Sequence, residues 1–406
     1  MTETERLHDT VLELLIPDTA RNPRAVVAGL SAADWTYIIA RGREHRFLPL
    51  LSYSLDQTCA AAAVPKDAKG ILSEVRRRHT LRALAAQREL LLVHRHLEEA
   101  GIRHVFLKGA FLAQFIYPHP SLRPLRDLDV VVPPTEALRA HKLMLAQGYR
   151  PLVAASAGVI DAHIDHAKHL PGLRSPSGTL TVELHVHIDR PGGVLSGMDP
   201  FRHVVTRALA GENLPFMDPD DLLVHLCVHA ANFHNFNNGP LVIADIGFLL
   251  RSGEVNTARA AARAAALGVT KPVALTIALT ESCWGSQAAD SAQLFDPVSK
   301  ELVRTARQLC FQSFDDRSAT NLAADLISAK TGARLWAELV AKLFPSASSM
   351  ALEFGKARNR LDLFRLLLKR WRRIMIERVP QIIGATAKPA FHDDYKRVKA
   401  LKKWLE

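Results

Sequence analysis

Short apolar runs interrupt a chain whose apolar residues are otherwise spaced as in helices. Ile102–Leu107 and Leu128–Val132 are each too short for a helix and predict two strands. In a third run, Thr179–Ile188, Val182 and every second residue after it are apolar, whereas Glu183 and the residues between them are polar. This alternation is typical of a strand with one face in the core. In a chain of 406 residues, these runs predict a small sheet between two helical regions.

The predicted fold class is α+β, with one small mixed sheet flanked by N- and C-terminal helical regions. A strand near His166–Leu173, the turn Ser175–Gly178 and the strand Thr179–Ile188 predict a hairpin. From about Pro200 onward the signals are helical. The predicted regions are residues 1–100 (helical), 101–200 (α/β core), 201–350 (helical) and 351–406 (a basic helical tail). The predicted helices are 5–16, 31–57, 66–100, 109–117, 135–147, 219–233, 240–251, 256–267, 271–284, 298–312, 319–344 and 350–378.

Composition excludes several classes of protein. With 48% hydrophobic and 23% charged residues, the chain is not expected to be disordered, and no apolar run is long enough for a transmembrane segment. The first 18 residues carry five acidic side chains and do not resemble a signal peptide. The cysteines form no CxxC pair, which argues against a zinc ribbon or a disulfide framework and predicts a cytoplasmic location. They are Cys59, Cys227, Cys283 and Cys310.

The first two strands carry the residues that point to chemistry. The first runs into Lys108-Gly109-Ala110, where a helix is predicted to begin. A helix N-terminus presents unpaired N–H groups that favour anions, and glycine allows a phosphate to approach the backbone closely. The second strand carries Asp127 and Asp129, which a period of two places on one face. Two carboxylates this close repel each other unless a cation lies between them, so the pair predicts a Mg²⁺ site.

A third carboxylate on a neighbouring strand would complete a site for two metal ions. Glu183 is the acidic residue that the strand pattern places on the polar face. Arg123 and Arg126 stand just before the aspartate pair, where a triphosphate needs positive charge. Three carboxylates and a phosphate-binding turn suit attack on a nucleoside triphosphate, assisted by two Mg²⁺ ions or, alternatively, Mn²⁺.

These segments resemble the nucleotidyltransferases of the DNA polymerase β-like superfamily, most closely its poorly characterised bacterial branch. The resemblance rests on LKGA at 107–110, RPLRDLDVVV at 123–132 and VELHVHI at 182–188. DDLLVHLCVHAANFH at 220–234 and LVIADIGFLL at 241–250 are similar to the helical region of that branch. The resemblance implies a polymerase β-like core, with Asp127 and Asp129 as paired metal ligands and Glu183 as the third carboxylate. It also places Gly109 in the triphosphate-binding turn.

The expected function is a nucleotidyltransferase that uses an NTP, with ATP favoured by its cellular abundance. It would transfer the nucleotidyl group to a hydroxyl of an acceptor and release pyrophosphate. The acceptor stays open among a small molecule, a peptide or protein, and the end of a tRNA. Two rival functions use the same site: a phosphotransferase that moves the γ-phosphate, and a protein that binds nucleotides without turnover.

Several residues near the predicted site have two interpretations each. Lys108 either contacts phosphate or covers the sheet edge, and His185 and His187 either support the site or bind substrate. His225 and His229 have the i, i+4 spacing of a zinc pair, but no HExxH motif or third ligand accompanies them, which favours a packed or hydrogen-bonded pair. Asp245, in an apolar helix, either reaches into the site cleft or bonds to a helix neighbour.

The C-terminal tail carries most of the excess positive charge. The chain has a net charge of +11, and the 15 Lys/Arg and 6 Asp/Glu of residues 351–406 account for 15 − 6 = +9 of it. In 356–378 the basic residues are interleaved with apolar ones, and 396–405 form a second basic patch. The tail is predicted to be either a solvated helix face or a contact for an acidic partner, namely RNA, a peptide or a membrane surface.

Overall fold

The computed structural model describes residues 2–16, 22–153, 155–285, 292–314, 344–355, 357, 359–378, 380 and 389–406. These residues form a mostly helical structure with a seven-strand mixed sheet, in agreement with the predicted α+β class. The predicted helix 319–344 lies, apart from its last residue, outside the described residues. Among the helices that are described, none combines the length and hydropathy needed to span a membrane.

Helices precede the sheet, as predicted, but the predicted helix 31–57 is wrong because it is two helices. The first ends at His45, and Arg46 follows in the left-handed conformation with φ 62°. Pro49 has no N–H to bond back into a continuous helix, but it fits in the first turn of a new one. The helices are α1 (Glu3–Leu15), α2 (Pro23–Ala28), α3 (Ala32–His45), α4 (Leu48–Gln57) and α5 (Lys66–Glu99).

The sheet brings together strands that are far apart in the chain. Its order is β3-β4-β5-β2-β1-β7-β6. The pairs β2–β5 and β1–β7 are parallel, and the other neighbouring strands are antiparallel. The strands are β1 (Val105–Phe106), β2 (Asp127–Val131), β3 (Arg150–Pro151), β4 (Leu173–Arg174), β5 (Thr181–His185), β6 (Val204–Leu209) and β7 (Glu212–Met217).

The prediction of helices alone after residue 200 is wrong, because β6 and β7 form a hairpin there. Ala210 and Gly211 make its two-residue turn with φ 52° and 88°, and two positive φ angles are what a tight hairpin turn requires. β7 joins the sheet beside β1, where the rings of Phe106 and Phe216 pack 5.8 Å apart. The sheet thus extends past residue 200, while the four predicted regions stay a prediction.

The hairpin predicted around Ser175–Gly178 is present, but its first strand is shorter than predicted. A helix occupies 157–166, Leu173–Arg174 pairs with Thr181 and Val182, and His169 forms an isolated β-bridge with His185. The Ser175 N–H donates to the carbonyl of Leu180 at 3.0 Å and closes the turn.

Helices lie between the strands and follow the sheet. Gly355, with φ 83°, ends the first helix of the predicted segment 350–378 and divides that segment in two. The helices are α6 (Gly109–Phe111, continued by a π turn over Leu112–Ile116), α7 (Ala137–Ala146), α8 (Ala157–His166), α9 (Pro219–Val228, continued by a π turn over His229–Phe233), α10 (Leu241–Arg251), α11 (Thr257–Ala266), α12 (Thr270–Trp284), α13 (Lys300–Leu309), α14 (Ala347–Phe354), α15 (Arg360–Arg373, continued by a π turn over Ile374–Arg378) and α16 (Pro389–Leu405).

One connected hydrophobic core runs through these elements. It includes Leu12 of α1, Phe106 and Val130 of the sheet, Leu223 of α9 and Leu401 of α16. Burial of this apolar surface is the main favourable contribution to folding. Apolar residues of β1 and β2 belong to this core. Their packing holds the two strands, and with them the polar side chains of β2, in place.

Candidate active site

The three predicted carboxylates lie on two neighbouring strands. β2 and β5 run parallel, and their register places Asp127 opposite Thr181 and Asp129 opposite Glu183. Leu128, between the two aspartates, is buried in the core. Because alternate residues of a strand share a face, Asp127, Asp129 and Glu183 all belong to the polar face of this strand pair.

Asp129 is the most tightly held of the three acids. Its Oδ1 atom lies 2.7 Å from Nε2 of His185 and 3.3 Å from Nζ of Lys108, and its side chain is 7% exposed. Burial opposes ionisation, but the positive charge of Lys108 and the hydrogen bond from His185 outweigh it. They hold the pKa of Asp129 well below its usual value, so this carboxylate is ionised at neutral pH.

Glu183 contacts the same imidazole as Asp129. Its Oε2 atom lies 3.7 Å from Nε2 of His185 and 3.8 Å from Nε2 of His169. Burial raises the pKa of Glu183, but the nearby imidazoles of His185 and His169 lower it by more, and the net shift is downward. His185 therefore lies between the two acids and links β2 to β5.

Asp127 behaves differently from its two neighbours. Burial raises its pKa, and the negative charges of Asp129 and Glu183 raise it further, while Lys108 and Arg126 act in the opposite direction. A raised pKa means that a third negative charge at this place is unfavourable without a compensating cation. The three acids are thus close enough to influence one another's ionisation.

The donor groups fit a divalent cation. One carboxylate oxygen of Asp129, one of Glu183 and a ring nitrogen of His185 all lie within 4.8 Å of one another. Carboxylate oxygens are ligands that suit both Mg²⁺ and Mn²⁺. Asp127 is outside this closest group, and its raised pKa is the observation that connects it to the same charge cluster.

The predicted phosphate-binding turn lies beside Asp129. The N–H of Leu107 donates to the Asp129 carbonyl at 3.0 Å, which fixes the start of the turn. Lys108 then adopts φ 45° and ψ −111°, and α6 begins at Gly109. A Cβ atom on Gly109 would lie 2.4 Å from Nη1 of Arg123 and 2.8 Å from Cδ2 of Leu125. Glycine is required here because those two side chains pack directly against the backbone.

Arg123 is held behind the turn by Asp245. Its Nε and Nη2 atoms donate to the two carboxylate oxygens of Asp245, each at 2.9 Å, and Tyr117 donates its hydroxyl to the same carboxylate at 2.7 Å. Burial raises the pKa of Tyr117 well above its usual value, and the Asp245 charge adds to this. Asp245 therefore bonds to two residues of the segment behind the turn, and α10 is tied to that segment.

The other predicted phosphate-binding residues have contrasting surroundings. Ala110 is buried within α6. Arg126 is exposed, directly precedes β2, and forms no ion pair within the part of the chain that the structure describes.

His187 follows the end of β5. Its backbone N–H donates to the Lys168 carbonyl at 3.1 Å, and no described contact joins its side chain to the acids.

Sequence reasoning did not include several basic groups that surround the acids. Lys168 has its pKa lowered by burial and by the charge of Lys108, with Asp129 and Glu183 acting in the opposite direction. His169, whose backbone forms an isolated β-bridge with His185, lies just before β4. Both residues belong to the strand predicted near His166–Leu173, and the structure places His169 beside Glu183.

His225 and His229 approach the site from α9 and its π turn. Burial lowers both pKa values well below the usual range, and Lys108 lowers them further, so both rings are neutral. Their centroids lie 6.0 Å apart, and Nε2 of His229 lies 3.1 Å from Nε2 of His234. This is the packed arrangement that the sequence favoured over a zinc pair.

The basic tail has two different parts. In α15 and the π turn that follows it, apolar side chains are exposed between the basic ones: Leu361 (60%), Phe364 (53%), Leu368 (46%), Met375 (64%) and Ile376 (61%). In α16, by contrast, Val398 and Leu401 are fully buried against the core. The second basic patch therefore lies on a helix that stabilises the fold.

The comparisons with known proteins agree with this geometry. A model of the uncharacterised nucleotidyltransferase family matches residues 31–285, which is more than half of the chain. Neither the curated proteins nor the solved structures contain a match. The matched segment includes the turn, all three acidic residues and α10, and it confirms the resemblance inferred from the motifs. This chain therefore belongs to the uncharacterised nucleotidyltransferase family and is a transferase.

Proposed function

We propose that this enzyme is Mg²⁺-dependent and transfers a nucleotidyl group from an NTP to a hydroxyl of an acceptor. The observation that carries the proposal is the pairing of Asp129 with Glu183 across β2 and β5, with Asp127 on the same face and the Lys108–Gly109 turn beside them. Neighbouring acids can hold divalent cations, and a glycine turn beside them can hold phosphates. Together they suit a metal–triphosphate complex.

Asp127, Asp129 and Glu183 are the proposed ligands of two divalent cations, Mg²⁺ or alternatively Mn²⁺. When bound, these ions would supply positive charge for the attacking and leaving oxygens. His185 keeps Asp129 and Glu183 in place through its Nε2 atom. Metal ligands that are themselves held by hydrogen bonds keep their orientation, which is the role proposed for His185.

The phosphates of the NTP are proposed to bind at the Lys108-Gly109-Ala110 turn. The backbone N–H groups at the start of α6 donate to them, and Lys108 and Arg126 add positive charge. The Asp245 pair holds the guanidinium of Arg123 against Gly109. Arg123 thus contributes a charge of fixed position.

In the proposed reaction the acceptor hydroxyl attacks the α-phosphorus. The bond from that phosphorus to the oxygen that bridges it to the β-phosphorus breaks, and pyrophosphate leaves. Glu183 orients the acceptor and takes up the hydroxyl proton directly or through water. The helices within 201–350 are proposed to form the acceptor side of the site. ATP in the cytoplasm is the proposed donor, chosen for its abundance.

The tail is proposed to contact an acidic partner: RNA, a peptide or a membrane surface. The exposed apolar and basic side chains of α15 support this proposal, because an interaction surface commonly combines both. The buried residues of α16 limit the proposed surface to α15 and the turn after it.

The test is incubation with Mg²⁺ and ATP labelled at the α- or the γ-phosphate, with cell extract as the source of acceptors. Nucleotidyl transfer places the α-label on an acceptor and releases labelled pyrophosphate from γ-labelled ATP. A phosphotransferase would instead transfer the γ-label and leave ADP, and a protein that only binds nucleotides would do neither. The double variant Asp127→Asn/Asp129→Asn is the control, and activity retained by it in full would refute the site.

A further inference from the structure

A second group of positive charges lies next to the acids. Arg46, His79, Arg82 and Arg126 line a cavity of about 150 Å³ together with the segment 120–125 that leads into β2. Arg126 is the residue immediately before Asp127. The cavity is therefore adjacent to the proposed metal site. Its other walls are formed by α5 and by Arg46, between α3 and α4.

These four basic side chains form no salt bridge in the described part of the chain, and the charge of Asp127 is the acidic charge that acts on Arg46 and Arg126. Within these residues no side-chain hydrogen bond or salt bridge involves any of the four, whereas Arg76 of α5 pairs with Asp56. Burial lowers the pKa of Arg46 to about 10; the charges of Arg126 and Arg123 lower it further, and the charge of Asp127 acts in the opposite direction. Burial and the charges of Arg82 and Arg78 lower the pKa of His79 to about 4. The three arginines carry more positive charge than Asp127 balances, and a bound anion would reduce the remaining repulsion.

The backbone that presents Arg46 supports a functional role for the cavity. Arg46 lies between α3 and α4 with φ 62°, a conformation that glycine adopts far more easily than arginine. A long cation at a strained position costs stability. Strained backbone conformations of this kind are concentrated at ligand-binding and active sites.

A larger groove of about 520 Å³ adjoins the cavity and shares Ala83, Pro120 and Ser121 with it. Its polar and aromatic lining includes Tyr53, Thr80 and Gln87. The size of the groove is in the range that binds small organic molecules. Together, the two spaces offer an anion site next to the reacting centre and room for the rest of a molecule.

We propose that Arg46 and Arg82, in the cavity, bind a phosphomonoester group of a small-molecule acceptor, whose remainder lies in the adjoining groove. This inference rests on the proposed function, because it assigns the acceptor class of the same active site. The anchored phosphate does not react, and a separate hydroxyl of the acceptor faces the metal site. The triphosphate of the NTP is the other source of phosphate that could occupy the cavity, and the experiment separates the two.

The experiment measures the binding of two probes by calorimetry: inorganic phosphate, and the Mg²⁺ complex of α,β-methylene-ATP. The variants are Arg46→Gln and Arg82→Gln. Arg88→Gln is the matched control, since Arg88 is an exposed arginine of α5 that does not line the cavity. We expect phosphate affinity to fall about tenfold in each cavity variant, which is the effect of losing one charge-assisted contact, while the control is unchanged. Affinity for the nucleotide complex should stay within about twofold of wild type.

Two results would overturn the inference. Equal phosphate binding by wild type, cavity variants and control would show that the cavity is not an anion site. An equal loss of phosphate and nucleotide affinity would assign the cavity to the triphosphate. Failure of the proposed function has a different signature: wild type binds phosphate with the same arginine dependence but does not bind the nucleotide complex. That result would also remove the acceptor assignment.

Discussion

Asp129 and Glu183 are register partners on parallel strands, and one imidazole nitrogen, Nε2 of His185, lies within 3.7 Å of a carboxylate oxygen of each. The two residues are 54 positions apart in the chain, and only the pairing of β2 with β5 brings them together. Because His185 also lies on β5, a single strand supplies both an acid and the group that orients its partner. The pairing of β2 with β5 therefore brings the two acids and the imidazole of the site together.

Replacing His185 should weaken metal binding more than it affects the fold. In His185→Ala the hydrogen bond to Asp129 is lost, and we expect Mn²⁺ affinity and transfer activity to fall about 10- to 100-fold, as is usual for groups that orient metal ligands. His185→Gln keeps a donor and should recover part of the loss. His187→Ala is the control, and equal effects of His185→Ala and His187→Ala on Mn²⁺ titrations would argue against the orienting role.

Glu183→Gln should reduce transfer strongly while the protein stays folded. The change keeps the shape of the side chain but removes its charge, and we expect a loss of about 100-fold or more in the rate of pyrophosphate release. Its thermal unfolding temperature should stay near that of wild type, because Glu183 is part-exposed. Transfer at the wild-type rate by this variant would exclude Glu183 from the reaction.

The Arg123–Asp245 pair should matter for stability. Asp245→Asn leaves the guanidinium of Arg123 in a buried place without its charge partner, which should lower the free energy of unfolding by about 3–5 kcal/mol. Tyr117→Phe removes one hydrogen bond to the same carboxylate and should cost about 1.5–3 kcal/mol. Urea unfolding measures both values. A smaller loss for Asp245→Asn than for Tyr117→Phe would contradict a central role of the ion pair.

Stability should fall in mildly acidic solution because of His8. This buried ring lies 2.7 Å from Oε1 of Gln308 and 2.7 Å from the Tyr37 hydroxyl, and burial lowers its pKa to about 4. The unfolded chain, with a pKa near 6.5, takes up the proton first. The stabilisation is thus present above pH 6.5 and is lost as the pH falls toward 4, by about 2 kcal/mol between pH 7 and 4.5.

The measurement for this prediction is urea unfolding at several pH values. His8→Gln should show a shallower fall in unfolding free energy than wild type over the same range. Parallel curves for the two proteins would mean that His8 does not contribute to the acid sensitivity.

Some parts of the site follow from local sequence and others do not. The period of two places Asp127 and Asp129 on one face, and the alternation in 182–188 does the same for Glu183, so the acids could be predicted. The parallel pairing of β2 with β5 is a tertiary event that the sequence leaves open. The link from Arg123 to Asp245 spans 122 residues, and no local pattern signals it.

The strands β6 and β7 were missed for a physical reason. Ala210-Gly211 is a weak turn signal, because alanine rarely takes the positive φ that it has here. The strands also flank it with Thr206, Arg207 and Pro215, which do not form a clean apolar alternation. Pairing with β1 therefore decides their conformation.

The most direct test of the account is a Mn²⁺ titration, followed by electron paramagnetic resonance, in the presence of α,β-methylene-ATP. Wild type and the variants Asp129→Asn and Glu183→Gln are compared, with Glu254→Gln as a control distant in sequence. If the carboxylates share divalent cations, wild type and control bind two Mn²⁺ ions per chain with the nucleotide, and each site variant loses at least one. Two bound ions in all four proteins would contradict the central claim.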